Sequence, residues 1–200
     1  MRITDIKPRR KQLSAVYIDG EFAVNIDTRT LLENRFDVGR ELDDEELHAL
    51  IELSDENRAK EKALWLLSSR SHSKKELADK IRRTNSAEAA AKAVDRMEEL
   101  GLVNDADFAR RYADKLIFSK GMSKRAAAME LRRKGIDRDV IDETLDAVEV
   151  DSREQITKIL SKKYTDLSDE KTKRRAVAAL QRLGYGWDDI RGALNELDGD

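Results

Sequence analysis

Few residues of this chain could carry out covalent chemistry, and their spacing does not converge on any. The two histidines are His48, in an acidic helical stretch, and His72, beside Ser71 and Ser73. Neither has a second histidine one helical turn away, as a helix-borne metal site needs. Ser71-His72-Ser73 sets hydroxyls against an imidazole, but adjacent residues do not form a catalytic triad. Ser73, three residues before Glu76, fits a helix cap better. The acidic run Asp43-Asp44-Glu45-Glu46 lacks the spacing and central glycine of a calcium loop and suits the N-terminal end of a helix. Neither G-x-x-x-x-G-K-[ST] nor G-x-G-x-x-G occurs, so no phosphate-cradling loop is indicated. The chain has no cysteine, which excludes disulfides, thiolate zinc sites and cysteine nucleophiles. The expectation is a non-enzyme with no cofactor and no metal.

What the chain has in abundance is charge. Asp, Glu, Lys and Arg make up 40% of it, yet the formal net charge is only −2, so distribution matters more than the sum. The cations gather in stretches that recur. Ser73-Lys74-Lys75 returns fifty residues on as Ser123-Lys124-Arg125, and Ile81-Arg82-Arg83 as Leu131-Arg132-Arg133. Forty-nine residues beyond Leu131–Gly135 stands Leu180-Gln181-Arg182-Leu183-Gly184. Fixed-period self-similarity marks a repeat architecture, and this period suits three helices per unit. The candidate partner- or DNA-binding strip comprises Arg70, Lys74, Lys75, Arg82 and Arg83 in the first unit. The second unit adds Arg110, Arg111, Lys120, Lys124, Arg125, Arg132, Arg133 and Lys134, and the third Lys173, Arg174, Arg175 and Arg182. Acids collect instead in the third helices and linkers. An extended basic strip is an electrostatic footprint for phosphates or for an acidic protein surface.

The elements that would position this strip are mainly helical. From Ser54 onward helix starts are expected at Ser54, Ser73, Asn104 or Asp105, Ser123, Asp137 and Ser152, with capping-box spacing at Ser73-x-x-Glu76 and Ser152-x-x-Gln155. Gly101, Gly135 and Gly184 follow last turns and suit left-handed C-caps. Apolar residues at spacings of three and four give each unit a core face. The first helices contribute Ala63, Leu66 and Leu67, then Phe108, Tyr112 and Leu116, then Ile156 and Leu160. The second contribute Leu77 and Ile81, then Ala127 and Leu131, then Val177 and Leu180. The third contribute Val94, Met97 and Leu100, then Ile141, Leu145 and Val148, then Ile190, Leu194 and Leu197.

Before the helices, Asp19-Gly20 joins two apolar runs, a strong hairpin signal. A two-residue turn sets Tyr17 opposite Phe22, Ala15 opposite Val24 and Leu13 opposite Ile26, all on one face, with Ser14, Val16, Ala23 and Asn25 on the other. Arg2 to Lys7 can add a third strand. Helices are expected over Thr28–Arg35, after an Asp27 cap, and from Asp43-x-x-Glu46. The chain is thus expected to be mainly α: three tandem three-helix repeats in an elongated, curved array, preceded by a short β-hairpin region. The divisions are 1–55 for the hairpin and its helices, then 56–104, 105–150 and 151–200 for the repeats.

No apolar run approaches the length of a membrane span, and Met1–Lys11 lacks the apolar core of a signal peptide. With no cysteines, this favours a cytoplasmic protein without membrane contact. Two classes of function remain. One is a regulator that binds protein; the other is a nucleic-acid binder working through phosphates alone. Readers of single strands normally add exposed aromatics for stacking. Here aromatics are 5% of the chain, with Trp65, Phe108, Tyr112 and Phe118 expected in cores. That tilts the balance toward a protein or protein–DNA target.

With these motifs in place, the chain resembles the RecX family, regulators of the RecA recombinase. Leu102-Val103-Asn104-Asp105 with Phe108-Ala109 is similar to that family's L-[LI]-[DN]-D-x-x-F-A segment, and Glu130 to Ile136 to its E-L-R-x-K-G-I run. Ala63-x-x-Leu66-Leu67-x-x-Arg70-x-x-Ser73-x-x-Glu76-Leu77 resembles the opening repeat. Lys171 to Tyr185 resembles the closing segment, except that Leu183 stands where its second basic residue would be. The resemblance spans about residues 57–197. It implies a non-enzymatic monomer that docks in the groove of a RecA–single-stranded DNA filament, inhibits ATP hydrolysis and strand exchange, and touches the DNA directly but weakly.

Overall fold

The computed structural model describes residues 1–164 and 167–198. The chain divides into two compact units, Met1–Val103 and Asn104–Asp200.

In the first unit, β1 (Ile3–Pro8), β2 (Leu13–Ile18) and β3 (Glu21–Asp27) form an antiparallel sheet in that order. The β2–β3 turn falls at Asp19-Gly20, both at positive φ (50° and 90°), as a tight hairpin of matching twist requires. Tyr17 pairs with Phe22 as expected, but the register then shifts: Val16 lies opposite Val24, Ala15 opposite Asn25, and Ser14 opposite Ile26. The expected Ala15–Val24 and Leu13–Ile26 pairs do not form. Ala23 is an extra residue in β3, and such a bulge inverts every side chain beyond it. Val24 and Ile26 thereby change to the face of Val16, and Val16, expected on the mixed face, shares the N-terminal core with Ile3, Ile26, Leu31, Phe36, Leu42 and Leu50.

Asp27 caps α1 (Thr28–Glu33) by accepting from the Thr30 N–H at 2.9 Å. A full capping box opens α2 (Asp44–Ser69): Glu46 N–H donates to Asp43 Oδ1 at 2.8 Å, and Asp43 N–H to Glu46 Oε2 at 3.2 Å. No helix starts at Ser54. Nothing between Asp44 and Ser69 breaks the helix, and the Ser54 hydroxyl faces inward, accepting from Asp27 N–H at 2.8 Å. One helix thus supplies Leu50 to the N-terminal core and Ala59, Ala63 and Leu66 to the next. Against its second half pack α3 (Lys74–Ile81), capped by Ser73, and α4 (Ala87–Glu99), capped by Ser86. Leu100, expected inside, stands at the C-cap with half its surface exposed, while Val103 enters the core.

The second unit contains two further three-helix groups. The first comprises α5 (Asp105–Asp114) capped by Asn104, α6 (Lys124–Arg133) capped by Ser123, and α7 (Arg138–Asp146). The next comprises α8 (Ser152–Lys163), α9 (Glu170–Arg182) capped by Asp169, and α10 (Trp187–Asp198). The α8 cap is Asp151 rather than Ser152: its carboxylate accepts from Arg153 N–H at 2.7 Å. Gln155, expected to reach back to that cap, donates instead to Ile117 O at 2.6 Å. Each group has its own core, the first around Phe108, Leu131 and Ile141, the second around Ile156, Leu180 and Ile190.

The second helix of both groups ends alike. Gly135 (φ 79°) donates to Arg132 O, and Ile136 to Leu131 O, at 2.9 and 3.2 Å. Gly184 (φ 90°) donates to Gln181 O, and Tyr185 to Leu180 O, at the same distances. This is the Schellman closure, in which a left-handed residue turns the chain and the next apolar residue folds back; Ile136 and Tyr185 are both buried. At Gly184 space is also lacking, since an added Cβ would lie 2.5 Å from Ala126 Cβ and 2.6 Å from Ser123 Oγ. Gly101 has the same handedness (φ 69°) but open space around it. Gly101→Ala is therefore expected to cost about 1–2 kcal/mol, from the left-handed backbone alone. Gly184→Ala should cost a further ~1–3 kcal/mol from overpacking. Equal denaturation midpoints for the two variants would contradict this.

His72 offers a pH test. Its side chain is 1% exposed, with Nδ1 3.2 Å from a Glu76 oxygen. Burial first, then the Arg70 charge, depresses its pKa below the ordinary 6.5, although Glu76 pulls the other way. The unfolded chain then takes up a proton before the folded one as pH falls. This contribution to stability is intact above about pH 6.5 and lost as pH falls through the lower folded value. The melting temperature of wild type should fall more steeply than that of His72→Asn below about pH 6.5. Parallel pH profiles would rule the group out.

Candidate functional site

The basic residues differ in how they are partnered. In the first unit Arg70 pairs with Glu76 at 2.7 Å and Lys75 with Asp79 at 3.1 Å. Lys74 contacts Glu98, and Arg82 contacts Asp79. In the second unit Arg110 contacts Asp107, Arg133 pairs with Glu130 at 2.8 Å, and Arg174 with Glu170 at 3.7 Å. These are exposed or half-exposed pairs, each worth ~0–1 kcal/mol, so an external anion competes with them at little cost. Arg111 and Arg182 direct Nε to the carbonyls of Asp107 and Ala178, both at 3.3 Å. Lys134 sits at the end of α6 with Nζ 5.7 Å from the Tyr112 ring centre. Lys173 is half-buried within α9.

A second set lacks acid partners. Among the described residues Arg83, Lys120, Lys124, Arg125, Arg132 and Arg175 have no carboxylate within 4 Å. Arg83 and Arg132 flank the C-terminal ends of α3 and α6, at neighbouring places in the repeat register. Their charge complements the carbonyl ends of those helices while leaving the guanidinium directed at solvent. Lys124 and Arg125 open α6, where cations oppose the helix dipole. A destabilising position occupied by two cations fits a demand other than folding.

Two aromatics expected inside, Trp65 and Phe118, stand outside, as does Trp187. Trp65 is 70% exposed, Phe118 59% and Trp187 54%. In α2 the buried positions Ala59, Ala63 and Leu66 trace one face, and Trp65 lies ~200° around the helix from Ala63 at 100° per residue. That periodicity was readable; hydrophobicity alone misplaced the residue. Phe118 lies in a π-helical turn, Lys115–Ser119, that extends α5. Lys120 N–H there reaches back to Lys115 O at 3.1 Å. Such wide turns often occur at functional sites. Phe118, Val150 and Ile159 give an apolar wall to a groove of about 570 Å³, rimmed by Lys120, Lys158, Lys162 and Lys163 and by Glu149, Asp151 and Glu154. Phe108 and Tyr112 do pack inward, stacked with ring centres 5.4 Å apart.

Sequence and fold comparisons assign the helical groups to a known family. The family model for the first three-helix domain of RecX matches residues 59–97, and that for the second matches residues 104–145. The regulatory protein RecX of Bacillus subtilis is 30% identical over 203 residues, covering 98% of this chain and 77% of that protein. The chain belongs to the RecX family. The Mycobacterium ulcerans member, also named regulatory protein RecX, is 37% identical over 141 residues, covering 67% of this chain and 81% of its own. A crystal structure of a regulatory protein RecX superposes with a TM-score of 0.64 at 20% identity, covering 97% of this chain and 98% of the other. That of Lactobacillus salivarius RecX gives 0.62 at 22% identity, covering 73% and 98%. At these identities the two structures establish the fold, including the RecX helical groups. The family's named role is regulation. Leu183, the position at which the chain departs from the closing-segment pattern, is half-buried against the third core, and its carbonyl accepts from Ser123 N–H at 2.9 Å. Among the described residues no helix is long and apolar enough to cross a membrane.

Proposed function

We propose that this RecX family member binds RecA–single-stranded DNA filaments through its basic helix ends and inhibits ATP hydrolysis and strand exchange without catalysing a reaction itself. The observation that carries the reading is the set of cations without acid partners in or beside α3, α6 and α9: Arg83, Arg125, Arg132 and Arg175, which are exposed, and Lys124, which is half-buried. A filament of recombinase on DNA offers both phosphates and acidic protein surface. Linked modest contacts along such a lattice act at high effective concentration, so bridging restrains subunit rearrangement without a single tight site. The partner is then the RecA filament, with a direct contact to single-stranded DNA, and the protein acts as a monomer in the cytoplasm.

Order of addition separates this from simple competition for DNA. Added to pre-formed filaments at near-stoichiometric ratio, the protein should still inhibit RecA ATPase. A phosphate binder that merely sequesters free strand would lose its potency there, and that result would overturn the filament reading.

Arg132→Glu with Arg133→Glu tests the basic helix ends. Against the helix dipole alone each arginine is worth about 0.3–1 kcal/mol, so stability should fall slightly. Filament binding should fall much further. If phosphates are contacted, the log–log salt slope, about −0.7 per single-strand phosphate neutralised, should become shallower by about one or two units. Unchanged binding across a salt titration, with matching melts, would return both residues to a capping role.

A further inference from the structure

The first unit holds a pocket that the basic strip did not anticipate. It has a volume of about 690 Å³ and is built from three separate elements. Lys11 comes from the β1–β2 turn, Arg58, Lys62 and Trp65 from α2, and Thr84 and Asn85 from the loop after α3. The turn is specialised: Lys11 and Gln12 both adopt positive φ, 61° and 57°, a conformation that non-glycine residues rarely take without a reason. Lys62 is half-buried, and its ammonium donates to Thr84 Oγ1 at 2.6 Å. Among the described residues neither it nor Lys11, Arg58, Lys80 or Arg83 has a carboxylate within 4 Å. Two acids do line the pocket, Asp27 and Glu61. The Asp27 carboxylate is committed to Thr30, accepting from its N–H at 2.9 Å and its hydroxyl at 3.0 Å. Glu61 is exposed and acts on the outlying Arg29. Among the described residues none of these cations is ion-paired, although the two carboxylates add their charge to the wall and Arg58 also acts on Asp55.

That crowding is felt at Lys62. Burial first, and then the positive field of Arg83, Arg58, Lys11 and Lys80, pushes its ammonium below the usual lysine range. Like charges held this close repel in the free protein, and a bound anion would relieve them. Beside them stands the indole of Trp65, 70% exposed. A flat aromatic face next to a concentration of cations matches the two halves of a nucleotide, a base to stack and a phosphate to neutralise.

We infer that this pocket is a single-stranded nucleic-acid site, in which a base stacks on Trp65 and the adjoining phosphates are held by Lys62, Arg58, Arg83 and Lys11. Single strand rather than duplex follows from the chemistry, because a base stacked between its neighbours in a duplex offers no free face. An acidic protein segment would satisfy the cations but leave the indole without a role. The inference deepens the filament reading above, giving the chain its own hold on the strand, and it is testable without recombinase.

The chain has two tryptophans, so Trp187→Phe leaves Trp65 as the sole indole reporter. Titrating this variant at low salt with an oligothymidylate of about 12 nucleotides, a length within known site sizes, should quench its fluorescence to saturation. Poly-glutamate at equal charge should not. In anisotropy with labelled oligonucleotide, Trp65→Ala should weaken binding roughly 5- to 150-fold, the span of base–aromatic stacking. Arg58→Ala with Lys62→Ala should abolish quenching and make the salt slope shallower by about one unit. Lys11→Glu, on an exposed turn outside the helical core, should weaken binding even if the α2 variant folds poorly. No quenching in Trp187→Phe, equal quenching by poly-glutamate, or wild-type affinity in Trp65→Ala and Lys11→Glu would each overturn the site. A protein that inhibits filament ATPase but fails these tests would lose this site alone. One that passes them but does not inhibit would keep the site and lose the filament reading.

Discussion

The second unit depends on a glycine where a side chain has no room. At Gly184 the backbone turns left-handed and passes so close to α6 that a Cβ would overlap Ala126 and Ser123. The approach lets Leu183 O accept from Ser123 N–H at 2.9 Å, joining the end of α9 to the cap of α6 by backbone alone. The next residue reinforces it. Tyr185 is buried and its hydroxyl donates to Gly121 O at 3.1 Å. Burial first, and then the Asp189 charge, pushes its pKa up to about 12, so the hydroxyl remains a donor throughout the physiological range. Gln155 adds a bond from α8 to Ile117 O at 2.6 Å. Three contacts converge on the segment from Ile117 to Ser123, which carries Phe118 and Lys120. The basic start of α6 is therefore held by its neighbouring three-helix group as well as by its own core.

This construction separates what folds the chain from what it presents. Each three-helix core is small and made chiefly of Ala, Leu and Ile, with nearly all charge left outside. A chain 40% charged in composition could have been fully cross-paired. Instead, pairing is local, mostly between residues three or four apart on one helix. Pairs of that kind contribute only tenths of a kcal/mol to a helix. They keep the helices soluble and leave the unpaired cations at helix ends and loops, where an incoming anion meets no desolvated competitor.

Most of the secondary structure was legible because its signals are local. Caps at Asp27, Asp43, Ser73, Asn104 and Ser123 and glycines at 101, 135 and 184 act within a few residues of themselves. The repeat register then carried the core positions. What failed was decided elsewhere in the chain. The β3 bulge at Ala23 answers to the packing of Val16 and Ile26 on α2, not to the turn. Ser54 looked like a cap but is bonded to Asp27, far away in sequence. Ser152 yielded its expected role to Asp151, whose carboxylate is the stronger acceptor for the helix N–H groups. The pocket at Lys62 was invisible for the same reason, since its lining comes from segments far apart in sequence that only the fold brings together.

The exposed aromatics change the balance between the two kinds of partner. A scarcity of stacking surfaces weighs against contact with single-stranded bases only if those few rings are in the core. Trp65, Phe118 and Trp187 are outside it, and the first two stand beside lysines in concave surroundings. Enclosing an indole removes a large apolar surface from water. Leaving it in water forgoes that gain. The same helix face that carries Trp65 also carries Arg58 and Lys62, at spacings of three and four that align them. Ring and charges are thus presented together by one rigid element, and a ligand that used only the charges would leave the ring unexplained. On the proposed reading, a regulator of a nucleoprotein filament has reason to recognise both of its components, protein and strand, and ring and charge together match the chemistry of the strand.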